Sequence, residues 1–295
     1  MELFTYLNQH PVIFLTYIGL LGLLVGSFLN VVILRLPVML ERQWREECQA
    51  YINETDAGHT QQTQTPPFNL LTPGSHCPKC NHAIRAWENI PVISYLFLRG
   101  RCSACHSKIP LRYPLTEALT GILSLAIAWH FGPGWQTAAG LLLTWALITL
   151  SIIDIDQQIL PDNITLPFLW LGLGLSLFTI YTDTHSAIIG ALLGYLSLWS
   201  IFQLFRLLTG KEGMGYGDFK LLALLGAWLG WQHLLTIVLM SSLVGAVIGI
   251  GMILLRGHDR SIPIPFGPYL AIAGWITLLW GEDMFQFYLT WMGIT

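Results

Sequence analysis

Eight runs of apolar residues, each almost free of charge, constrain this chain more than any motif in it. They cover residues 12–34, 115–131, 137–153, 164–181, 186–208, 219–231, 234–255 and 264–280. A helix crosses the hydrocarbon core of a bilayer with about 20 apolar residues. With 54% hydrophobic and 11% charged residues in a length of 295, the composition excludes an ordinary soluble domain. The expected fold class is an all-α polytopic membrane protein with about eight transmembrane helices and a small cytoplasmic insert. The weakest run is 219–231, which as a helix extends only about 20 Å and has a re-entrant segment as its alternative reading.

Basic residues orient the spans, because Lys and Arg of short loops concentrate on the cytoplasmic side. With the N-terminus outside, the stretch 35–112 is cytoplasmic and holds nine of the fourteen Lys and Arg residues. Arg206, Lys211, Lys220, Arg256 and Arg260 then all fall at cytoplasmic ends, provided that 219–231 crosses. The first run lacks the basic n-region of a cleavable signal peptide and is too long for its apolar core, so an uncleaved anchor is expected.

These readings divide the chain into a first transmembrane helix (1–34), a cytoplasmic insert (35–114) and a membrane core (115–295). Within the insert, 49–69 includes the low-complexity run at 60–67 and holds few apolar residues, so flexibility is expected there. The second half contains Cys77-Pro78-Lys79-Cys80 and Cys102-Ser103-Ala104-Cys105, 21 residues apart. Four thiolates so spaced can close tetrahedrally around one metal, with zinc the first candidate, giving a zinc-ribbon-like insert. The competing reading is a pair of disulfides, which a cytoplasmic compartment disfavours. His76, His82 and His106 lie near enough in sequence to substitute as ligands, while Cys48 is left over as a free thiol. A module this small has little core of its own, so a metal would supply folding energy.

Two carboxylates stand out against the apolar background. Asp154 ends one apolar run, and Asp218 sits in Gly215-Tyr216-Gly217-Asp218 beside another, 64 positions on. Ionisable residues at such places are functional by default. The expected topology puts both at cytoplasmic helix ends, where they can meet. A close pair of carboxyls in a partly dehydrated site cannot ionise together readily, so one keeps its proton while the other acts as base. Such a pair can polarise a peptide carbonyl and activate water. Asp156 and Asp162 compete with Asp154. If the helix continues, Asp156 points about 200° away from Asp154, and Pro161 is expected to leave Asp162 in a loop. The plain alternative for all three is the capping of a span in water. Gly215 and Gly217 suit close backbone approach or unusual dihedrals, with a simple turn as the competing reading. Lys220 either helps to neutralise the site or snorkels to the interface.

These residues occur together with Gly26-Ser27-Phe28-Leu29-Asn30-Val31-Val32-Ile33, Glu88-Asn89-Ile90-Pro91, Arg112-Tyr113-Pro114, Leu160-Pro161-Asp162, Phe219-Lys220 and Pro265-Phe266-Gly267-Pro268. In that combination the chain resembles the type IV prepilin peptidases, bifunctional leader peptidases and N-methyltransferases of the GxGD aspartyl protease class. The resemblance implies that Asp154 and Asp218 are the catalytic dyad. It implies cleavage of a short basic leader from prepilins or pseudopilins, after a glycine, at the cytoplasmic face of the bacterial inner membrane. It further implies methylation of the new N-terminal residue with S-adenosylmethionine as donor, an activity linked to the cysteine loop.

A multi-span transporter is the competing class. Gly22/Gly26, Gly190/Gly194 and Gly245/Gly249 offer the close helix contacts that such folds use. No internal repeat of the transporter kind is evident in the sequence. A zinc-bearing scaffold is a third class, for which Asp218→Asn would alter only stability. Membrane lipid is the expected surrounding, nucleic acid is not an expected partner, and the oligomeric state is left open. The insert has no glycine-rich strand-to-helix loop of the dinucleotide-binding kind, so no donor-binding residues are assigned.

Overall fold

The computed structural model describes residues 2–55, 68–211, 213–256, 265–291 and 293. Its helices, in chain order, are α1 (Glu2–Gln9), α2 (Pro11–Thr55), α3 (Ile93–Phe97), α4 (Arg112–Phe131), α5 (Trp135–Gln157), α6 (Asp162–Ser176), α7 (Thr184–Thr209), α8 (Tyr216–Leu229), α9 (Leu234–Arg256) and α10 (Gly267–Trp291). Among the described residues there is no β-strand, only two isolated bridges. Four helical stretches are long and apolar enough to cross a membrane: Pro11–Ile52, Trp135–Gln157, Thr184–Thr209 and Trp231–Gly251. The chain is a membrane protein. The run at 60–67, Arg260 and Ile264 lie outside the described residues.

Each of the eight apolar runs falls on a helix, but several boundaries differ from those expected. The helix begun at the first run does not stop at residue 34; α2 continues to Thr55 with Pro37 inside it. The stretch 49–55, expected to be flexible, is helical. The reason is local. Arg45 Nη2 donates to Glu41 Oε1 at 2.6 Å and Gln43 Nε2 to Glu47 Oε1 at 2.9 Å, both one turn apart. Such pairs each stabilise a helix by about 0.2–0.5 kcal/mol. Pro161 ends the linker after α5, but Asp162 is the first residue of α6 rather than part of a loop, since proline is well suited to precede a helix.

The chain divides into two compact units, Leu15–Leu125 and Met1–Phe14 with Ala126–Thr295. In the first unit α2 lies against α4 through small residues. A Cβ on Gly22 would meet Ser124 at 2.7 Å, and one on Gly26 would meet the Glu117 backbone at 2.8 Å. Asn30 Nδ2 donates to the Tyr113 carbonyl at 3.1 Å. Arg35 holds the segment leading to the cysteines, donating to the carbonyls of Asn69 (3.0 Å) and Pro73 (2.6 Å). Arg42 lies over the Phe68 ring, 4.3 Å from its centroid. Val92, with φ 59°, takes a backbone shape unusual for a β-branched residue. Its N–H donates to the buried Glu117 carboxylate at 2.7 Å.

In the second unit α8 is the central element, packed on α6, α7 and α10. Every residue from Asp218 to Leu229 except Lys220 is buried. That burial explains a helix of only 14 residues, because a strand of helix surrounded by protein need not match the lipid. Glycines let the neighbours approach. A Cβ on Gly190 would land on the Gly226 carbonyl oxygen, and one on Gly194 would lie 2.7 Å from the Leu222 oxygen. Trp228 fills the space over Gly172 and its Nε1 donates to the Phe168 carbonyl at 2.8 Å. Gly190→Ala is expected to destabilise the bundle by about 1–3 kcal/mol through this overpacking. A lower midpoint in thermal unfolding of the purified variant in detergent is the check.

Candidate active site and metal centre

Asp154 and Asp218 are both buried, with 5% and 7% of their surface exposed. Asp154 occupies the last turn of α5, where the left-handed cap Gln158 donates its N–H to the Asp154 carbonyl at 2.9 Å. The helix runs on to Gln157, so Asp156 turns to the exposed side. Only Asp154 faces inward, as the helical geometry requires. Asp218 stands in the first turn of α8, after the N-cap Gly215. The two are brought into one site, since Gly217 beside Asp218 and Gly267, whose N–H donates to Asp154, both lie against Leu160.

Each carboxylate is served by a helix N-terminus, the positive end of the peptide dipoles. For Asp218 this is the start of its own helix. For Asp154 it is the start of α10, whose first residue Gly267 donates its N–H to Asp154 Oδ2 at 3.1 Å. A Cβ on Gly267 would sit 2.6 Å from that same oxygen, so a side chain there would displace the carboxylate. In the sequence Gly267 is marked only by the motif Pro265-Phe266-Gly267-Pro268; its contact with Asp154 spans 113 positions and carries no local signal.

The glycines before Asp218 do not take the unusual dihedrals that were one expectation for them. Gly215 is extended, with φ −77°. Gly217 is needed for space, because its Cβ would fall 2.8 Å from Leu160 Cβ. Lys220 pairs with a different aspartate rather than with Asp154 or Asp218. Its Nζ donates to both oxygens of Asp162 at 2.7 Å, tying the start of α6 to the first turn of α8. An aromatic group adjoins the site, with Tyr216, Phe219 and Phe202 rings 5.2–5.6 Å apart.

The four knuckle cysteines come together in the other unit. The Sγ atoms of Cys77, Cys80, Cys102 and Cys105 all lie within 4.8 Å of one another. Cys77 is 3.8 Å from Cys105 and Cys80 is 3.9 Å from Cys102. Four thiolates at a Zn–S distance of about 2.3 Å stand about 3.8 Å apart in a tetrahedron, so the cluster fits zinc. No disulfide links the described cysteines, and Cys48 is free and exposed. The N–H groups of Lys79 and Cys80 hold the Cys77 thiol down at about 6, whereas at Cys80 the His82 N–H is outweighed by burial and the neighbouring thiols, which push that thiol up, since four crowded sulfurs cannot all ionise on their own. His82 Nε2 lies 3.3 Å from Glu88 Oε2, and His76 Nδ1 lies 2.9 Å from the Gly74 carbonyl, so these two rings have partners outside the cluster.

The two knuckles repeat one local structure, which the sequence reading did not register. Cys77 N–H donates to the His82 carbonyl and Cys102 N–H to the Ser107 carbonyl, both at 2.9 Å. Asn81 and His106 both have φ 56°, and the bridges His76–Ala83 and Arg101–Lys108 occupy matching places. The shared pattern was visible in the sequence as Cys-x-x-Cys followed four residues later by Ile84 and Ile109.

Comparison with known proteins assigns both halves of the chain. Residues 20–131 match the bacterial peptidase A24 N-terminal domain, and residues 141–250 match the type IV leader peptidase family. The chain belongs to the type IV leader peptidase family. A prepilin leader peptidase/N-methyltransferase of Aeromonas hydrophila is 58% identical over 95% of this chain and 95% of its own length. The protein of the same description from Pseudomonas aeruginosa is 55% identical over 99% of both chains, and that from Xanthomonas campestris pv. campestris is 47% identical over 98% of this chain and 99% of its own. No solved structure matches the chain.

Proposed function

We infer that this chain cleaves the short basic leader of type IV prepilins or pseudopilins and then methylates the new N-terminal residue. The full-length agreement with relatives described as prepilin leader peptidase/N-methyltransferase carries this reading. The transporter reading has no comparable support.

The finer assignments rest on the residues. Asp154 and Asp218 form the catalytic dyad, supported by their burial and by the packing of Gly217 and Gly267 on Leu160 between them. The pair holds one proton between its two carboxyls. The ionised carboxyl takes a proton from water as the water oxygen attacks the scissile peptide carbonyl, while the protonated one gives its proton to the carbonyl oxygen. When the resulting diol collapses, the C–N bond breaks, a carboxyl proton passes to the leaving amine and the diol returns one to the pair. The Gly267 N–H keeps Asp154 Oδ2 turned inward throughout.

Helices α2 and α4 to α10 supply the eight spans, with α8 tolerated at its length by burial. The metal-bearing insert occupies 35–114, the first span 1–34 and the protease core 115–295. The insert and both aspartates face the cytoplasm of the inner membrane, supported by the placement of Lys and Arg. A prepilin's basic leader would be held on that same side. Cys77, Cys80, Cys102 and Cys105 hold a structural zinc, which would cross-link the two knuckles. S-adenosylmethionine supplies the methyl group; among the described residues no strand feeds a glycine-rich helix start that could cradle it in the dinucleotide manner.

The direct test is purified protein in detergent with a prepilin substrate and S-adenosylmethionine, read by mass spectrometry. A shortened product bearing one added methyl group is expected, and intact substrate would sink the assignment. Topology has its own check. Cys48, exposed on α2, is expected to react with a membrane-impermeant maleimide in inverted membrane vesicles and not in intact spheroplasts. Labelling in intact spheroplasts would place the insert outside.

A further inference from the structure

We propose that Leu160, together with the Asp162–Lys220 ion pair, is the positioning element of the dyad, setting the spacing of the Asp154 and Asp218 carboxylates. This rests on the reading of those two residues as catalytic.

Leu160 lies in the short linker between α5 and α6, six residues after Asp154. Its side chain meets both backbones that carry the site. A Cβ on Gly217, the neighbour of Asp218, would fall 2.8 Å from Leu160 Cβ and 3.1 Å from its Cδ1. A Cβ on Gly267, the donor to Asp154, would fall 3.2 Å from each Leu160 Cδ. The isobutyl group thus fills the gap between the start of α8 and the start of α10. Both glycines lack a side chain where Leu160 enters, so its volume decides how far apart those two helix starts stand.

The linker is held at its far end too. Asp162, two residues on, is bound by Lys220, two residues beyond Asp218. The side chains of Lys220 and Asp162 are 28% and 50% exposed. An ion pair so placed contributes little to folding, so an effect of breaking it on turnover reports geometry rather than stability. Because closely packed elements transmit displacement, a shift at Leu160 moves one carboxylate relative to the other. A misplacement of about 1 Å at a reacting centre costs about 100-fold in rate.

The test is the kcat, KM and pH profile of prepilin cleavage for Leu160→Ala, Leu160→Met, Asp162→Asn, Lys220→Gln and the Asp162→Asn/Lys220→Gln double variant. Asp154→Asn and Asp218→Asn are run alongside. Leu160→Ala is expected to lower kcat by about 10- to 100-fold with KM nearly unchanged. Leu160→Met, of similar volume, restores most of that loss. The two limbs of the kcat–pH profile move apart in the alanine variant as the helix starts close up and the carboxylates repel more. Both ion-pair variants and their double lose the same amount, since each removes one contact. A Leu160→Ala kcat within about twofold of wild type, or a methionine variant no better than alanine, overturns the proposal. Should Leu160→Ala not fold, Leu160→Val and the ion-pair cycle decide it by the same measures. If Asp154→Asn or Asp218→Asn still cleaves, there is no dyad to position and both readings fall. If those lose cleavage while the Leu160 and Lys220 variants keep kcat, only the positioning role falls.

Discussion

Asp154→Asn and Asp218→Asn are each expected to reduce leader cleavage by about 10²- to 10⁴-fold or more, the contribution usual for positioned acid–base groups. The double variant is expected to be no worse than either single one, because groups that act as a unit are not additive. The substitution keeps shape and removes the proton exchange. Asn in place of Asp154 can still accept from the Gly267 N–H, so the thermal midpoint in detergent should stay close to wild type or rise with the loss of a buried charge. Methylation offers a control. The cysteine cluster lies in the other compact unit, so a pre-cleaved substrate should still be methylated by both variants. Loss of both activities together would point to a folding defect; retained cleavage in either variant would remove that residue from the chemistry. A transporter would show no cleavage to lose.

How much of this was legible in the sequence follows from the range of each signal. Asp154 stood out because a carboxylate ending an uncharged run is expensive and rare; helical geometry allowed only one of Asp154 and Asp156 to face a given partner, and the family resemblance pointed to Asp154. The cysteines were recognisable because a tetrahedral site demands paired ligands at short spacing. What stayed hidden depends on contacts between distant segments. The bond from Gly267 to Asp154, the wedge of Leu160 against Gly217 and the Lys220–Asp162 pair join residues that no periodicity connects. The length of α2 was missed for a different reason: hydropathy marks where a helix can leave lipid, not where it stops, and 35–55 is polar but rich in helix formers. Burial likewise accounts for α8. Its run looked too short for a span because hydropathy assumes a lipid neighbour, whereas α6, α7 and α10 surround it.

Zinc removal is expected to act on one part of the molecule and spare the other. Purified protein should carry one zinc per chain, and Cys77→Ser or Cys102→Ser should abolish it. Those two sulfurs are the buried members of the cluster, whereas Cys80 and Cys105 are exposed. Structural zinc contributes about 10–16 kcal/mol to small domains of this kind, far more than the short contacts at Arg35 and Glu117 can replace. Chelation should therefore expose residues 68–111 to protease while the fragment 126–295 survives intact. That contrast follows from burial: among the described residues the insert has two cysteine knuckles and few buried apolar side chains, whereas α8 is buried along almost its whole length. Zinc content by mass spectrometry, limited proteolysis and the thermal midpoint before and after chelation measure it together. Unchanged protease resistance after complete removal of the metal would mean that the insert is held by its contacts with α2 and α4 alone. A thiol count below five in denatured, metal-free protein under reducing-free conditions would favour disulfides instead. Methylation is expected to fall with the zinc, because the insert is the part of the chain that the metal organises. Cleavage is expected to persist on a short soluble leader peptide, since Asp154, Asp218, Gly267 and Leu160 all belong to the unit that the metal does not hold together.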